Sequence, residues 1–142
     1  MPEIRPVATP ESIRDCYPVM AQLRPHLTED AFVAQVLRQI SEQPFHLVAL
    51  YDPDVLAVAG YRLGENLADG RYLYVDDLVT DEASRSRNYG GQLFDWIVAE
   101  ARRRGCVHLS LDSGVQRFAA HRFYLTKRME IRSHHFSMTL GG

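Results

Sequence analysis

The apolar positions of this chain change period several times, and each change marks an element. Ile4 to Val7 predicts a short strand, and Thr9, Pro10 and Glu11 then supply a cap and a proline suited to a first helical turn. A helix follows from Pro10 to about Met20. Thr28, Glu29 and Asp30 cap a second helix, on which Phe32, Val33, Val36, Leu37 and Ile40 recur at helical spacing until Pro44 ends the pattern. The runs Phe45 to Tyr51 and Val55 to Leu63 are apolar and β-branched, and Asp52-Pro53-Asp54 between them is turn chemistry, so together they predict a hairpin.

A loop from Gly64 to Gly70 leads to a third run, Arg71 to Thr80, whose Tyr, Val and Leu content marks a central strand. Leu93, Phe94, Ile97, Val98 and Ala101 then draw an apolar stripe along a helix from Gly90 to Arg104, which Gly105 stops. Its basic end, Arg102, Arg103 and Arg104, reads as solvated. Val107 to Leu111 is expected as a strand, Phe118 to Lys127 as a short helix and Ile131 to Leu140 as a final strand. The order is β-α-α-β-β-β-α-β-α-β, with no repeat or linker, and predicts one mixed α/β domain over residues 1–142.

Composition narrows the function more than the fold. With 46% hydrophobic and 24% charged residues, the chain can bury a real core. A formal net charge of -2 offers no basic face to a polyanion, which argues against a nucleic-acid partner. No apolar run approaches the roughly 20 residues that cross a bilayer, so no membrane partner is expected and the cytoplasm is the simplest location. Cys16 and Cys106 suggest no disulfide framework, and Cys106 reads as a small packing residue, so a covalent acyl-enzyme is not indicated. His134 and His135 are adjacent in a predicted strand, point to opposite faces and make no metal site by themselves. No metal is expected. Trp96 is assigned to the core or to an interface, which leaves a homodimer open.

The most informative segment is the turn Arg85-Ser86-Arg87-Asn88-Tyr89-Gly90-Gly91, which joins the central strand to the amphipathic helix. A helix N-terminus leaves about four backbone N–H groups without internal partners and carries partial positive charge, so it suits an anion. Glycine at Gly90 and Gly91 removes side chains that would hold a ligand off.

This turn resembles the acetyl-CoA signature of the GNAT superfamily of N-acetyltransferases, Gln/Arg-x-x-Gly-x-Gly/Ala, with Arg85 first, Asn88 in the first glycine position and Gly90 in the second. Asparagine is at ease in the left-handed region that glycine would supply there. The run Leu109 to Tyr124 is similar to the strand, loop and helix that complete the family's cofactor site, and Ala120-x-x-x-Tyr124 fits its helix. Arg117 stands where asparagine is frequent, and Arg128-Met129 where Gly-Phe is usual. The similarity covers roughly Tyr72 to Met129. It implies a GNAT-type fold, with a central mixed sheet of six to seven strands and about four helices.

The resemblance further implies an N-acetyltransferase that uses acetyl-CoA as co-substrate and a small-molecule or peptide amine as acceptor. Arg85, Ser86, Arg87, Asn88, Tyr89, Gly90 and Gly91 would hold the pyrophosphate, and a backbone N–H near Leu78 or Val79 would stabilise the oxyanion. An alkylammonium of pKa about 10.4 must lose a proton before it attacks, so a base is needed. Asp76 and Asp77 lie on the central strand, where alternation sends them to opposite faces. By the family's spacing Asp76 matches the acidic position, with Asp77 second and more suited to a structural role. Tyr124 matches the general acid that quenches the leaving thiolate. His121, one turn before it, reads as a structural hydrogen-bonding residue. The rival reading is a module of the same fold that binds or senses acyl-CoA without turnover.

Overall fold

The computed structural model describes residues 1–141. Its elements are β1 (Glu3–Val7), α1 (Pro10–Asp15), α2 (Tyr17–Leu23), α3 (Glu29–Glu42), β2 (Phe45–Tyr51), β3 (Val55–Asn66), β4 (Gly70–Thr80), a 3-10 turn (Glu82–Arg87), α4 (Tyr89–Arg103), β5 (His108–Leu111) and α5 (Phe118–Thr126). They fall into two compact units, Met1–Ser110 and the segment from Leu111 onward. Among the described residues no helix is long and apolar enough to cross a membrane.

The first helix expected from the periodicity is in fact two. A capping box between Thr9 and Ser12 starts α1, which stops at Asp15, and α2 begins at Tyr17 with Pro18 in its first turn. Proline has no N–H to continue the α1 ladder, so the chain restarts there instead. The hairpin of β2 and β3 forms as expected, and its turn closes through Asp52 N–H donating to the Asp54 carbonyl at 2.8 Å.

The strands lie in the order β1-β2-β3-β4-β5, and the first four are antiparallel neighbours. On one face, Ile13, Met20, Phe32 and Val36 from α1, α2 and α3 join Phe45, Leu47, Ala49, Val58 and Val79 in one buried cluster. Alternation turns Val48 and Leu50 to the other face, where α4 crosses β2, β3 and β4 and buries Leu93, Phe94 and Ile97. Each such side chain contributes on the order of 1.5–3 kcal/mol. The basic end of α4 is not simply solvated. Arg103 and Arg104 both pair with Glu100, a carboxylate buried on the same helix. Burial opposes its ionisation, but the two arginines outweigh that and hold it below the usual carboxylate range.

The described residues form five strands, not the six to seven expected, and five α-helices. The expected final strand, Ile131 to Leu140, carries no strand, and its Ile131, Phe136, Met138 and Leu140 are exposed. Alternation records which side chains would share a face, whereas a strand also needs a neighbouring edge to take its N–H and C=O groups. Among the described residues no strand pairs with that segment.

Candidate functional site

The ladder between β3 and β4 is irregular at its centre. Gly60 pairs with Asp77 and Tyr61 with Val75, which leaves Asp76 as the extra residue of a β-bulge. A bulge breaks the strict alternation that would send Asp76 and Asp77 to opposite faces. Asp76, the carboxylate expected to meet the acceptor, is held instead by Arg62 of β3, whose guanidinium donates to both its oxygens at 2.8 to 3.2 Å. Asp77 turns towards α2, where its Oδ1 accepts from Arg24 Nε at 2.7 Å and lies 2.6 Å from a terminal nitrogen of the same guanidinium. Together Arg24 and Asp77 line a cavity of about 230 Å³ with Met20, Phe32, Phe45 and Leu47. Gly60 makes room for the Phe45 ring, which would lie 2.9 Å from a Cβ there.

At the other edge of β4, Val107 N–H donates to the Arg71 carbonyl at 2.9 Å and so sets β5 beside the first residues of the strand. β5 is only four residues long, whereas β4 runs on to Thr80. Leu78 and Val79 lie in that continuation, paired with Ala59 and Val58 on the β3 side.

The turn that follows is anchored from α2. Gln22 accepts from Glu82 N–H and donates to Asp81 Oδ1, both at 2.8 Å, which fixes where the 3-10 turn begins. Arg85, Ser86, Arg87 and Asn88 are exposed along it. Asn88 has φ 61° and ψ 27°, the left-handed conformation expected of it, and no side chain caps the start of α4. The first N–H groups of that helix therefore remain available to an anion, as its geometry requires. The side chain of Tyr89 is buried and donates to Asp52 Oδ2 at 2.6 Å, so what this residue presents to the turn is backbone. The glycines answer to neighbours in the chain itself. A Cβ on Gly90 would lie 2.7 Å from Thr80 Oγ1, and one on Gly91 would collide with the Asn88 side-chain amide.

In the second unit, α5 carries Tyr124, whose ring meets Phe123 edge-on with centroids 5.4 Å apart. Burial pushes its phenol above the ordinary value of 10.0, while Arg117 pulls weakly the other way. His121 makes the structural contact expected of it, with Nε2 2.8 Å from the Gly114 carbonyl. After α5, Arg128 takes φ 68° while its N–H donates to the Leu125 carbonyl at 3.0 Å and Met129 N–H to the Tyr124 carbonyl at 3.2 Å. This is the left-handed helix stop that normally carries glycine. The same pair of bonds closes α4, where Gly105 supplies the left-handed residue at φ 77°.

Two non-glycine residues thus hold glycine-like backbone. Arg128→Gly should raise unfolding free energy by about 1 kcal/mol, since it relieves the left-handed penalty, and denaturant titration would read it. Asn88→Gly should leave acetyl-CoA binding equal or tighter by calorimetry. A much weaker complex would show that the loop does not meet the cofactor in this register.

The sheet thus carries a bulged inner strand that feeds a turn into an uncapped helix N-terminus. The acetyltransferase (GNAT) family model matches residues 8–129, and the chain belongs to that family. It is 32% identical over 128 residues to an uncharacterized N-acetyltransferase, YhdJ, of Bacillus subtilis, covering 89% of this chain and 90% of the relative. It is 34% identical over 117 residues to glucosamine 6-phosphate N-acetyltransferase 1 of Oryza sativa, covering 77% and 71%. Among solved structures, the aminoglycoside N-acetyltransferase AAC(6')-Iy in complex with CoA superposes with a TM-score of 0.85 over 98% of this chain and 94% of that one. At 13% identity that likeness speaks for the fold alone.

Sequence reasoning singled out the turn, the aspartates and Tyr124, but missed Arg24, Arg62 and Gln22. Arg24 caps the C-terminal end of α2, where a cation is common, so it carried no signal of its own. Its partner lies 53 residues away in the chain.

Proposed function

We propose that this single catalytic domain is an N-acetyltransferase in which an acceptor amine attacks acetyl-CoA directly in a ternary complex. The observation that carries the proposal is the bulge in β4 set just before the open N-terminus of α4, in a chain of the GNAT family. The family and the CoA complex of the structural neighbour support acetyl-CoA as co-substrate. The rice relative is named for the acetylation of an amino sugar, which supports an amine acceptor.

In this reading the N–H groups at the start of α4, with Arg85, Ser86 and Arg87, take the pyrophosphate. The left-handed turn at Asn88 sets their direction, and the backbone at Tyr89, Gly90 and Gly91 completes the cradle. Asp77 accepts the amine proton, a role for which the resemblance to the family, by its spacing, favours Asp76. The reversal rests on Asp77 bordering the cavity while both Asp76 oxygens are engaged by Arg62. Amine nitrogen then bonds to the thioester carbon, and the oxyanion is met by backbone N–H at Leu78 or Val79. The carbon–sulfur bond breaks, and Tyr124 hydrogen-bonds or protonates the departing thiolate. The thiol of Cys16 is no candidate for an acyl carrier, because burial, with a smaller effect of Asp15, pushes it up to about 12.

The test is calorimetric binding of acetyl-CoA followed by an acceptor screen that reads free coenzyme A. Tight binding with thiol release to at least one primary amine is expected. Binding without release to any amine would leave a sensing module of the same fold.

A further inference from the structure

The cavity beside β4 has an uneven lining. Apolar side chains such as Phe45 share it with His26, Gln35 and Gln39, and Arg24 and Asp77 bring one charge of each sign to it. Both contacts of Arg24 with the Asp77 side chain fall on the same oxygen, Oδ1, through Nε at 2.7 Å and a terminal nitrogen at 2.6 Å. That nitrogen also reaches the Asp76 carbonyl at 3.4 Å. A guanidinium has five N–H donors and a carboxylate oxygen two lone pairs, so each partner keeps capacity after the pair has formed. Neither is sealed from solvent, with side-chain exposures of 44% for Arg24 and 22% for Asp77.

We infer that the acceptor is a small amine that also carries an anionic group, a carboxylate, phosphate or phosphonate a few bonds from the nitrogen, on a partly apolar body. The inference rests on the acetyltransferase reading and deepens it. A cation alone meets Arg24 as soon as it approaches Asp77, because the two charges sit within hydrogen-bonding distance. Repulsion from the guanidinium then offsets the attraction of the carboxylate. A polyamine adds further positive charge to the same conflict. An acceptor with its own anion resolves it, since amine pairs with Asp77 Oδ2 and anion with the remaining donors of Arg24, and the four charges alternate in sign. The volume, about 230 Å³, falls below the usual range of drug-sized sites and suits a small metabolite better than an aminoglycoside.

The chemistry common to carboxylate and phosphate is a planar or tetrahedral oxyanion, which a guanidinium binds through paired N–H groups. Matched acceptors separate the two. Leucine against leucinamide tests the carboxylate, 3-aminopropylphosphonate against 3-aminopropanol tests the phosphonate, and putrescine tests the polycation. With release of coenzyme A as readout, the anionic member of at least one pair should show kcat/KM about tenfold or more above its neutral partner. Arg24→Met should reduce that preference to about threefold or less, mainly through KM, with unchanged acetyl-CoA affinity. Arg24→Lys should restore part of it, which a merely structural arginine would not require.

Higher kcat/KM for neutral amines or for putrescine would overturn the substrate class and leave the transferase reading intact. A preference undisturbed in folded Arg24→Met would also overturn it. If no amine in the panel releases thiol while another amine of the acceptor screen does, this inference fails and the transferase reading stands; if no amine at all does, both fail.

Discussion

Tyr124→Phe is expected to lower kcat by about 10²–10⁴-fold while leaving the affinity for acetyl-CoA almost unchanged. The reason lies in the leaving group. In the proposed reaction the leaving thiolate needs a proton donor, and the resemblance of Ala120-x-x-x-Tyr124 to the family's helix makes Tyr124 the candidate. Burial raises this phenol above 10.0, so it stays protonated across the whole physiological range and can donate. The sign of the pH effect follows. Turnover should rise as the acceptor amine deprotonates, and decline only above pH 10.0, when the phenol itself ionises. In the phenylalanine variant that alkaline decline should vanish along with most of the rate. A pH profile of kcat for both proteins checks the pair of outcomes, and near-normal turnover in the variant would remove Tyr124 from the mechanism.

Asp77→Asn is expected to lower kcat/KM by about 10²-fold or more near neutral pH, and Asp76→Asn to do much less. The two carboxylates are adjacent in sequence and differ in what surrounds them. Asp77 borders the cavity with one oxygen outside the grip of Arg24, whereas Asp76 has both oxygens on Arg62. Loss of a base is costly only while the amine arrives protonated, so the Asp77→Asn defect should shrink as pH approaches the amine value of about 10.4. Asp76→Asn breaks a half-exposed ion pair, for which a stability loss of about 1 kcal/mol or less is expected. Steady-state kinetics across pH, with denaturant unfolding of both variants, separates the roles. A larger and pH-dependent defect in Asp76→Asn would restore the order that the family resemblance implies.

The left-handed helix stops show how legibility depends on residue type. Gly105 announces the end of α4, because glycine alone reaches that backbone without penalty, and the structure places it there at φ 77°. Arg128 does the same work after α5 at φ 68° with no such announcement. Nothing in an arginine codes for a left-handed turn. The turn is accompanied by two hydrogen bonds, from Arg128 N–H to the Leu125 carbonyl and from Met129 N–H to the Tyr124 carbonyl.

The turn from Arg85 to Gly91 was legible from its neighbours in the chain, a central strand before it and an amphipathic stripe after it, more than from its own glycines. Its detail was not. Gly90 and Gly91 suggest room for a ligand, yet the atoms nearest to them belong to Thr80 and Asn88. The missing final strand is the converse case, in which Ile131 to Leu140 holds the alternation of a strand without an edge to pair with.

By itself the sequence determined the order of elements from α3 to α5, the faces that α3 and α4 bury, the turn that opens α4 and the place of Tyr124 on a short helix. All of these follow from spacing within a few turns of chain, where period and glycine speak directly. Tertiary structure alone decided which aspartate meets the cavity. The choice depends on a bulge created by pairing Tyr61 with Val75, and on Arg24 and Arg62 arriving from α2 and β3 to claim Asp77 and Asp76. Strand alternation is a rule about uninterrupted ladders. One extra residue opposite a neighbouring strand suspends it, and no local pattern in β4 records that its partner is one residue short.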